Sequence, residues 1–450
     1  MKSLTRGRIV AIDKARIWHP YTPMRRYIEE VDPVVVDRAE GMYLYDVDGT
    51  RLIDGNASWW VNIVGHNHPR LEAALILQAH RVMHCSLAGM THEPAALLAE
   101  KLLPKCGASF SRLFFSDDGS TAVEVAIRMA YQFWKNVGRP EKRRFVTLEG
   151  AFHGETIGAA SVSGSPVFHE ALGDLLFDRI LLPTPAAGAH SEGGAPWHEA
   201  AFAEAQRMLD ERAGEIAAII VEPLIQGAAG MLMYPASYLS RLVKAARDRD
   251  VLVICDEVFV GYGRTGTFLA EHAAGVEADL VCLAKGFSGG ALPMAATVAN
   301  ERVFEAFRGG PEVTLWYGHS FTGNPLGCAV ALETLRIIEE EMLLERQAPI
   351  AAALQRGLDA VSRHPWVRDP RRTGLVGAFT LADPTAKDER KADYLAEPGW
   401  RLYAEARKRG ALLRPLGNVV YTVLPLNAEI AVVEELYGII GESLEAAFGT

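Results

Sequence analysis

Short apolar runs with no polar alternation punctuate this chain between longer stretches of helical spacing. IAAIIV (216–221), VLVIC (251–255) and DLVCL (279–283) are the clearest. A strand covered on both faces has no solvent side to keep polar, so it reads as an unbroken apolar run. The first run ends at Glu222, the second at Asp256 and Glu257, and the third two residues before Lys285. Upstream, FFS (114–116) passes through DDGS into helix-spaced Val123, Ile127, Ala130 and Tyr131. RFVTL (144–148) leads into a glycine-punctuated turn holding Phe152 and His153, and a helical stretch (237–250) precedes the run at 251. Strand alternating with helix predicts an α/β fold with a mainly parallel central sheet.

The flanks carry other patterns. WHPYTPM (18–24) is an irregular segment of an N-terminal arm, bracketed by Pro20 and Pro23. MYLYDVDGTRLIDG (42–55) alternates around Asp48-Gly49, a hairpin signature. Trp59 and Trp60 are adjacent and cannot share one face of a strand, so one is expected in the core and the other lining a cavity. A helix is expected from about Arg70. Residues 165–214 read as a long surface excursion containing PTPAAGAHSEGGAP (183–196) and ending in a helix. From about 341, helices alternate with GLVGAFTL (374–381) and VVYTVLPL (419–426). The expected organisation is an arm with part of a small domain (1–57), a large domain (58–340) and the remainder of a small α+β domain (341–450). The small domain is then built from both chain ends. Its 450 residues make the chain long for a single core, which agrees with two domains.

Composition narrows the function. A net charge of −10 with no basic run argues against nucleic-acid binding. No stretch offers the roughly 18 uninterrupted apolar residues of a membrane span, and the charged N-terminus makes a poor signal peptide. Five cysteines without a C-x-x-C pair suit a reducing compartment, and a cytoplasmic protein is expected. His66 and His68 have no Cys or carboxylate nearby to complete a ligand set, so they are read as structural and no metal is expected.

Chemistry concentrates where the apolar runs end. In parallel sheets functional groups collect at the carboxyl ends of the strands, which places Asp256 and Lys285 together. An acid and an amine so placed suit pyridoxal 5'-phosphate: the amine forms a Schiff base and the acid partners the pyridinium nitrogen. Gly119 and Ser120, just before a helical run, offer backbone N–H groups, a hydroxyl and a helix dipole to a phosphate. Phe152 reads as core or as a plate for a planar cofactor. Arg414, flanked by Leu412, Leu413, Pro415 and Leu416, suits a carboxylate better than open solvent.

DEVFVGYGRTGTF (256–268) followed by AKGFSGG (284–290) is specific enough to carry a resemblance. From about residue 16 to 440 the chain resembles the fold-type I, class III (ω-type) pyridoxal-phosphate aminotransferases. WHPYTPM (18–24), SWW (58–60) and RPLGNVVY (414–421) are similar to the branch of that family that aminates 8-amino-7-oxononanoate in biotin synthesis.

The resemblance implies roles for individual residues. Lys285 is the Schiff-base lysine and proton shuttle, and Asp256 the partner of the ring nitrogen. Gly119 and Ser120 match the phosphate cup, Phe152 the stacking aromatic, and Gln226 a residue near the cofactor's phenolic oxygen. Gly318, His319 and Ser320 match a segment reaching the phosphate of a neighbouring subunit, which implies a homodimer with shared active sites. Tyr21 is implied for the amino donor, Trp59 as pocket lining and Arg414 for the substrate carboxylate, with Arg264 a secondary carboxylate contact. The implied donor is S-adenosylmethionine. Two positions depart from the pattern: Phe152 stands where a tyrosine is usual, and His319-Ser320 where a Pro-Thr pair is usual. Relatives with His-Ser include ones associated with lysine as donor, so the same acceptor with lysine, or a broader ω-aminotransferase, are the alternatives.

Overall fold

The computed structural model describes residues 4–185, 197–384 and 396–449. The N-terminal arm holds two helices, Arg6–Arg16 and Met24–Glu30, around the Pro20–Pro23 segment. The expected hairpin forms as β2 (Tyr43–Asp46) and β3 (Arg51–Asp54), with an additional strand, β1 (Val36–Glu40), on its free edge. β1 (VDRAE) is charged at Asp37, Arg38 and Glu40 and carries little apolar signal, which is why its sequence does not announce it.

The central sheet is built next. Its strands are β4 (Phe110–Ser116), β5 (Arg144–Leu148), β6 (Arg179–Leu182) and β7 (Ile216–Val221). After a two-residue hairpin, β8 (Ile225–Gln226) and β9 (Leu232–Met233), come β10 (Leu252–Asp256), β11 (Leu280–Leu283) and β12 (Ala295–Asn300). The order is β4-β12-β11-β10-β7-β5-β6. Only β12 runs against the others, pairing antiparallel with both β11 and β4. The three apolar runs become β7, β10 and β11, and every residue in them is buried. Helices on both faces remove the solvent side that would have required polar alternation.

β6 corrects the reading of 165–214 as pure surface excursion. RILL pairs in parallel with β5 at the sheet edge, and its alternating burial is the mark of an edge strand. Residues 186–196 of that expected excursion lie outside the described residues, and the helix Trp197–Arg212 ends it as expected. Near the C-terminus, β13 (Val367–Thr373), β14 (Val376–Leu381), β15 (Ala411–Leu412) and β16 (Val419–Val423) complete the strands. β13, β14 and β16 form an antiparallel sheet. β15 pairs with β3, so the two chain ends share one four-stranded sheet.

Because six of the seven central strands run one way, the segments after β4, β5, β7, β10 and β11 emerge along one edge. That edge gathers Gly119, Phe152, Glu222, Asp256 and Lys285. No helix among the described residues is long and apolar enough to cross a membrane. No cluster of three or more metal-ligating side chains occurs among them either.

Candidate active site

Asp256 is the last residue of β10 and is 4% exposed. Its Oδ2 lies 2.7 Å from Nδ1 of the fully buried His153, and its Oδ1 accepts the Val258 N–H at 3.1 Å. His153 in turn approaches Thr147 Oγ1 through Nε2 at 3.3 Å. A carboxylate placed on a buried strand end is thus oriented by a histidine 103 residues away in sequence.

Lys285 begins the turn after β11, with a left-handed backbone (φ 45°). Its Nζ makes no hydrogen bond or ion pair among the described residues and sits 5.2 Å from the Trp60 ring centroid. Burial pushes the amine below the ordinary lysine range, and Arg264 adds to the effect. Asp256 and Glu222 oppose it. Lowered basicity and the lack of a carboxylate partner favour the form of the amine that attacks a carbonyl or accepts a proton.

Gly119 and Ser120 are the first residues of the helix Gly119–Asn136, not a turn before it. The N-cap is Asp118, whose Oδ1 accepts the Thr121 N–H at 3.0 Å in a capping box. Ser120 Oγ accepts the Glu155 N–H at 3.0 Å, which leaves its own O–H to donate. Gly154 packs so closely on this residue that a Cβ there would lie 2.7 Å from Ser120 Cα. Only glycine fits, since Gly154 also has a φ of +129°.

Phe152 lies across the same edge, stacked on His169 at 5.7 Å and 14°. Its N–H donates to Glu222 Oε1 (3.0 Å), while Glu222 Oε2 accepts the Gly227 N–H (2.9 Å). Glu222 therefore ties the Phe152 turn to the β8 loop. Burial raises this carboxyl to about 7. Gln226 is fully buried, with its amide oxygen accepting from Thr184 and its Nε2 donating to Glu149 O at 2.9 Å.

At the mouth, the Arg414 guanidinium lies 4.4 Å over the Trp59 ring, and one of its nitrogens donates to Tyr21 O at 3.3 Å. The Tyr21 ring meets Trp59 edge-on at 5.3 Å, and its hydroxyl is hydrogen-bonded to Glu155. The tryptophan pair does not lie in a strand. Ala57, Ser58, Trp59 and Trp60 have φ of 48°, 45°, 65° and 75°, forming one left-handed helical turn closed by Trp60 N–H to Asn56 O at 2.9 Å. Such a conformation costs about 1–2 kcal/mol for each non-glycine residue. The turn sends Trp60 into the core, as expected of one of the pair, and leaves Trp59 36% exposed.

Four expected site residues are placed differently from the rest. Arg264 is 1% exposed, and its guanidinium donates to Trp60 O (2.7 Å) and Leu424 O (3.1 Å). It braces backbone with two of its five N–H groups, and its Nε has no partner among the described residues. Gly318 and Ser320 lie exposed, while His319 Nδ1 is 3.5 Å from Asp117 beside the Gly119 helix start.

A planar anionic cofactor fits these groups. An oriented carboxylate, an unpartnered amine, a helix N-terminus narrowed by Gly154 and an aromatic plate converge on one sheet edge. His153, Glu222, Glu155, Asp54 and Asn56 were not singled out by sequence. Glu222 carried a usable signal, a charge ending an unbroken apolar run. Asn56 had none, because its partners Arg414 and Tyr421 lie 358 and 365 residues away.

Comparison with known proteins agrees with this geometry. The family model "Aminotransferase class-III" matches residues 27–444. The adenosylmethionine-8-amino-7-oxononanoate aminotransferase of Geobacter sulfurreducens is 40% identical over 419 residues, covering 92% of each chain. The crystal structure of the enzyme of that name from Methanocaldococcus jannaschii superposes with a TM-score of 0.92. It has 32% identity and covers 99% of this chain and 100% of its own. An amine transaminase from an uncultivated Pseudomonas species, in PLP-bound form, gives a TM-score of 0.86 with 34% identity, covering 96% and 98%. The chain belongs to the class III aminotransferases, pyridoxal-phosphate-dependent enzymes of PLP fold type I.

Proposed function

We propose that this aminotransferase moves an amino group from S-adenosylmethionine to 8-amino-7-oxononanoate, giving 7,8-diaminononanoate in biotin synthesis. The observation that carries the reading is the mouth of the site. An arginine stacked on Trp59 and tied to the Tyr21 carbonyl offers a fixed fork for the carboxylate at the far end of a long, flexible acceptor. Relatives bearing that activity in their names support it.

Bound pyridoxal phosphate supplies an aldehyde that takes up and returns the amino group, and a ring nitrogen that withdraws electrons when protonated. The protein's residues do the rest. Asp256, oriented by His153, would hold the proton at the ring nitrogen. Ser120 and the helix start at Gly119 would hold the phosphate, and Phe152 would cover one ring face. Lys285 Nζ, made less basic by burial, would accept the proton from the substrate's Cα and hand it back. Arg414 orients the acceptor, and Tyr21 lies where the donor enters. Both substrates use one pocket in turn, so ping-pong kinetics are expected.

Lysine as donor is the second reading, favoured by Phe152 in place of a tyrosine and by His319-Ser320. Mixing the loaded enzyme with each amine separately decides between them. Loss of the cofactor's visible absorbance with adenosylmethionine and not with lysine supports the first reading, and the reverse overturns it.

We further propose a homodimer. Met83 and Met90 flank a segment that carries His84, whose ring lies 4.6 Å from that of Phe321. All three apolar side chains are more than half exposed, as is Trp316. This apolar face continues into Gly318–Ser320, which would then reach the neighbouring subunit's site. Five unpaired cysteines support a cytoplasmic location.

A further inference from the structure

We propose that Asp54 is a positioning residue for carboxylate recognition, acting through the left-handed turn 57–60 on Trp59 and Arg414. The proposal rests on the reading of Arg414 as the carboxylate anchor. Asp54 ends β3 and is 5% exposed. Its Oδ2 accepts three hydrogen bonds, from Ser58 N (2.6 Å), Ser58 Oγ (2.7 Å) and His66 Nε2 (2.9 Å). Its Oδ1 accepts the Asn56 N–H at 3.2 Å. β3 itself is held by backbone pairing to β2 and β15. The carboxylate is therefore not needed to keep the strand, and its bonds go to the turn.

The turn is pinned at both ends. At its start Asp54 holds Ser58, and Asn56 bridges to Tyr421 O (2.9 Å) and to the Arg414 N–H (2.5 Å). At its end Arg264 holds the Trp60 carbonyl, and the Trp60 indole N–H donates to the Tyr421 hydroxyl at 3.1 Å. Trp59 stands between these clamps, and its ring meets Arg414 and Tyr21. Arg414 is thus attached to the turn twice, by its backbone and by its guanidinium. Four L-residues in the left-handed region return to the right-handed one when released. Loosening the Asp54 clamp would swing Trp59 out from beneath Arg414 and leave the Lys285–Asp256 edge in place.

The test is steady-state kinetics on the loaded enzyme, comparing wild type with D54N, D54N/S58G, R414A and D54N/R414A. For D54N, KM for 8-amino-7-oxononanoate should rise by about tenfold or more. kcat and the pyridoxal phosphate dissociation constant should stay within about threefold. Glycine takes the left-handed conformation without steric cost, so S58G should restore most of the lost KM in the D54N background. If Asp54 acts through Arg414, D54N should add little to R414A. Equal losses in both backgrounds, an unchanged KM, or loss of cofactor binding that S58G does not repair would each overturn the proposal. Should wild type fail to use 8-amino-7-oxononanoate, the functional reading falls on its own. The Asp54 proposal is then judged by a crystal structure of D54N, where a turn still left-handed beneath a stacked Arg414 refutes it.

Discussion

Arg414 shows how much a single residue's surroundings decide. In sequence it is an arginine between leucines and a proline; in the fold its guanidinium lies flat on Trp59 and is steadied by Tyr21. A charge-assisted pair to a carboxylate typically contributes about 1.5–3 kcal/mol. R414A should therefore raise KM for 8-amino-7-oxononanoate by roughly tenfold or more, measured with donor saturating, and an unchanged KM would refute the anchor. Glu257 makes a second prediction at this scale. It accepts the N–H groups of Ala270 and Glu271 in the core, and burial pushes its carboxyl up to about 8. A carboxyl raised in the folded state contributes stability that is complete below the unfolded value, near 4.5, and is lost as pH rises through 8. E257Q removes that titration, so its melting temperature should decline less between pH 5 and 8.5 than that of wild type. Parallel melting curves would dismiss the effect.

Among the elements, the strand–turn–helix unit at 110–136 and the turn after β5 depend on each other. Gly154 sits against Ser120 with no room for a methyl group, so G154A must displace the hydroxyl that faces the anion site. Affinity for pyridoxal phosphate should fall by about tenfold or more, read by absorbance titration, and the melting temperature of the cofactor-free protein should fall as well, since alanine is strained at this φ. Full retention of affinity would show that Ser120 does not contact the phosphate. Elements written as continuous apolar runs, β7, β10 and β11, were legible because burial on both faces leaves one solution. β1 and β13 were not, since edge strands keep charge on their open side and resemble loops, and β6 is a four-residue edge strand too short to stand out.

At the scale of the whole molecule, Met83, Met90, Trp316 and Phe321 each leave a large apolar side chain more than half exposed, and the proposed dimer would cover them. Sedimentation should give a species of about twice 49.1 kDa. F321D should shift the enzyme toward monomer and weaken cofactor retention, because Gly318–Ser320 would no longer reach a second site. A monomeric wild type that keeps its cofactor would exclude shared sites.

The α/β class, the acid and amine at strand ends, the glycine-serine pair at a helix start and the lone arginine among leucines were all determined by sequence. Each expresses a local rule: periodicity, strand termination, turn chemistry. Tertiary structure decided the rest. It set His153 on Asp256, joined Phe152 to Gln226's loop through Glu222, buried Arg264 against two carbonyls, and wound 57–60 left-handed. These depend on partners tens to hundreds of residues apart, and the left-handed turn opposes the preference of every residue in it. No local pattern records a conformation that distant contacts impose.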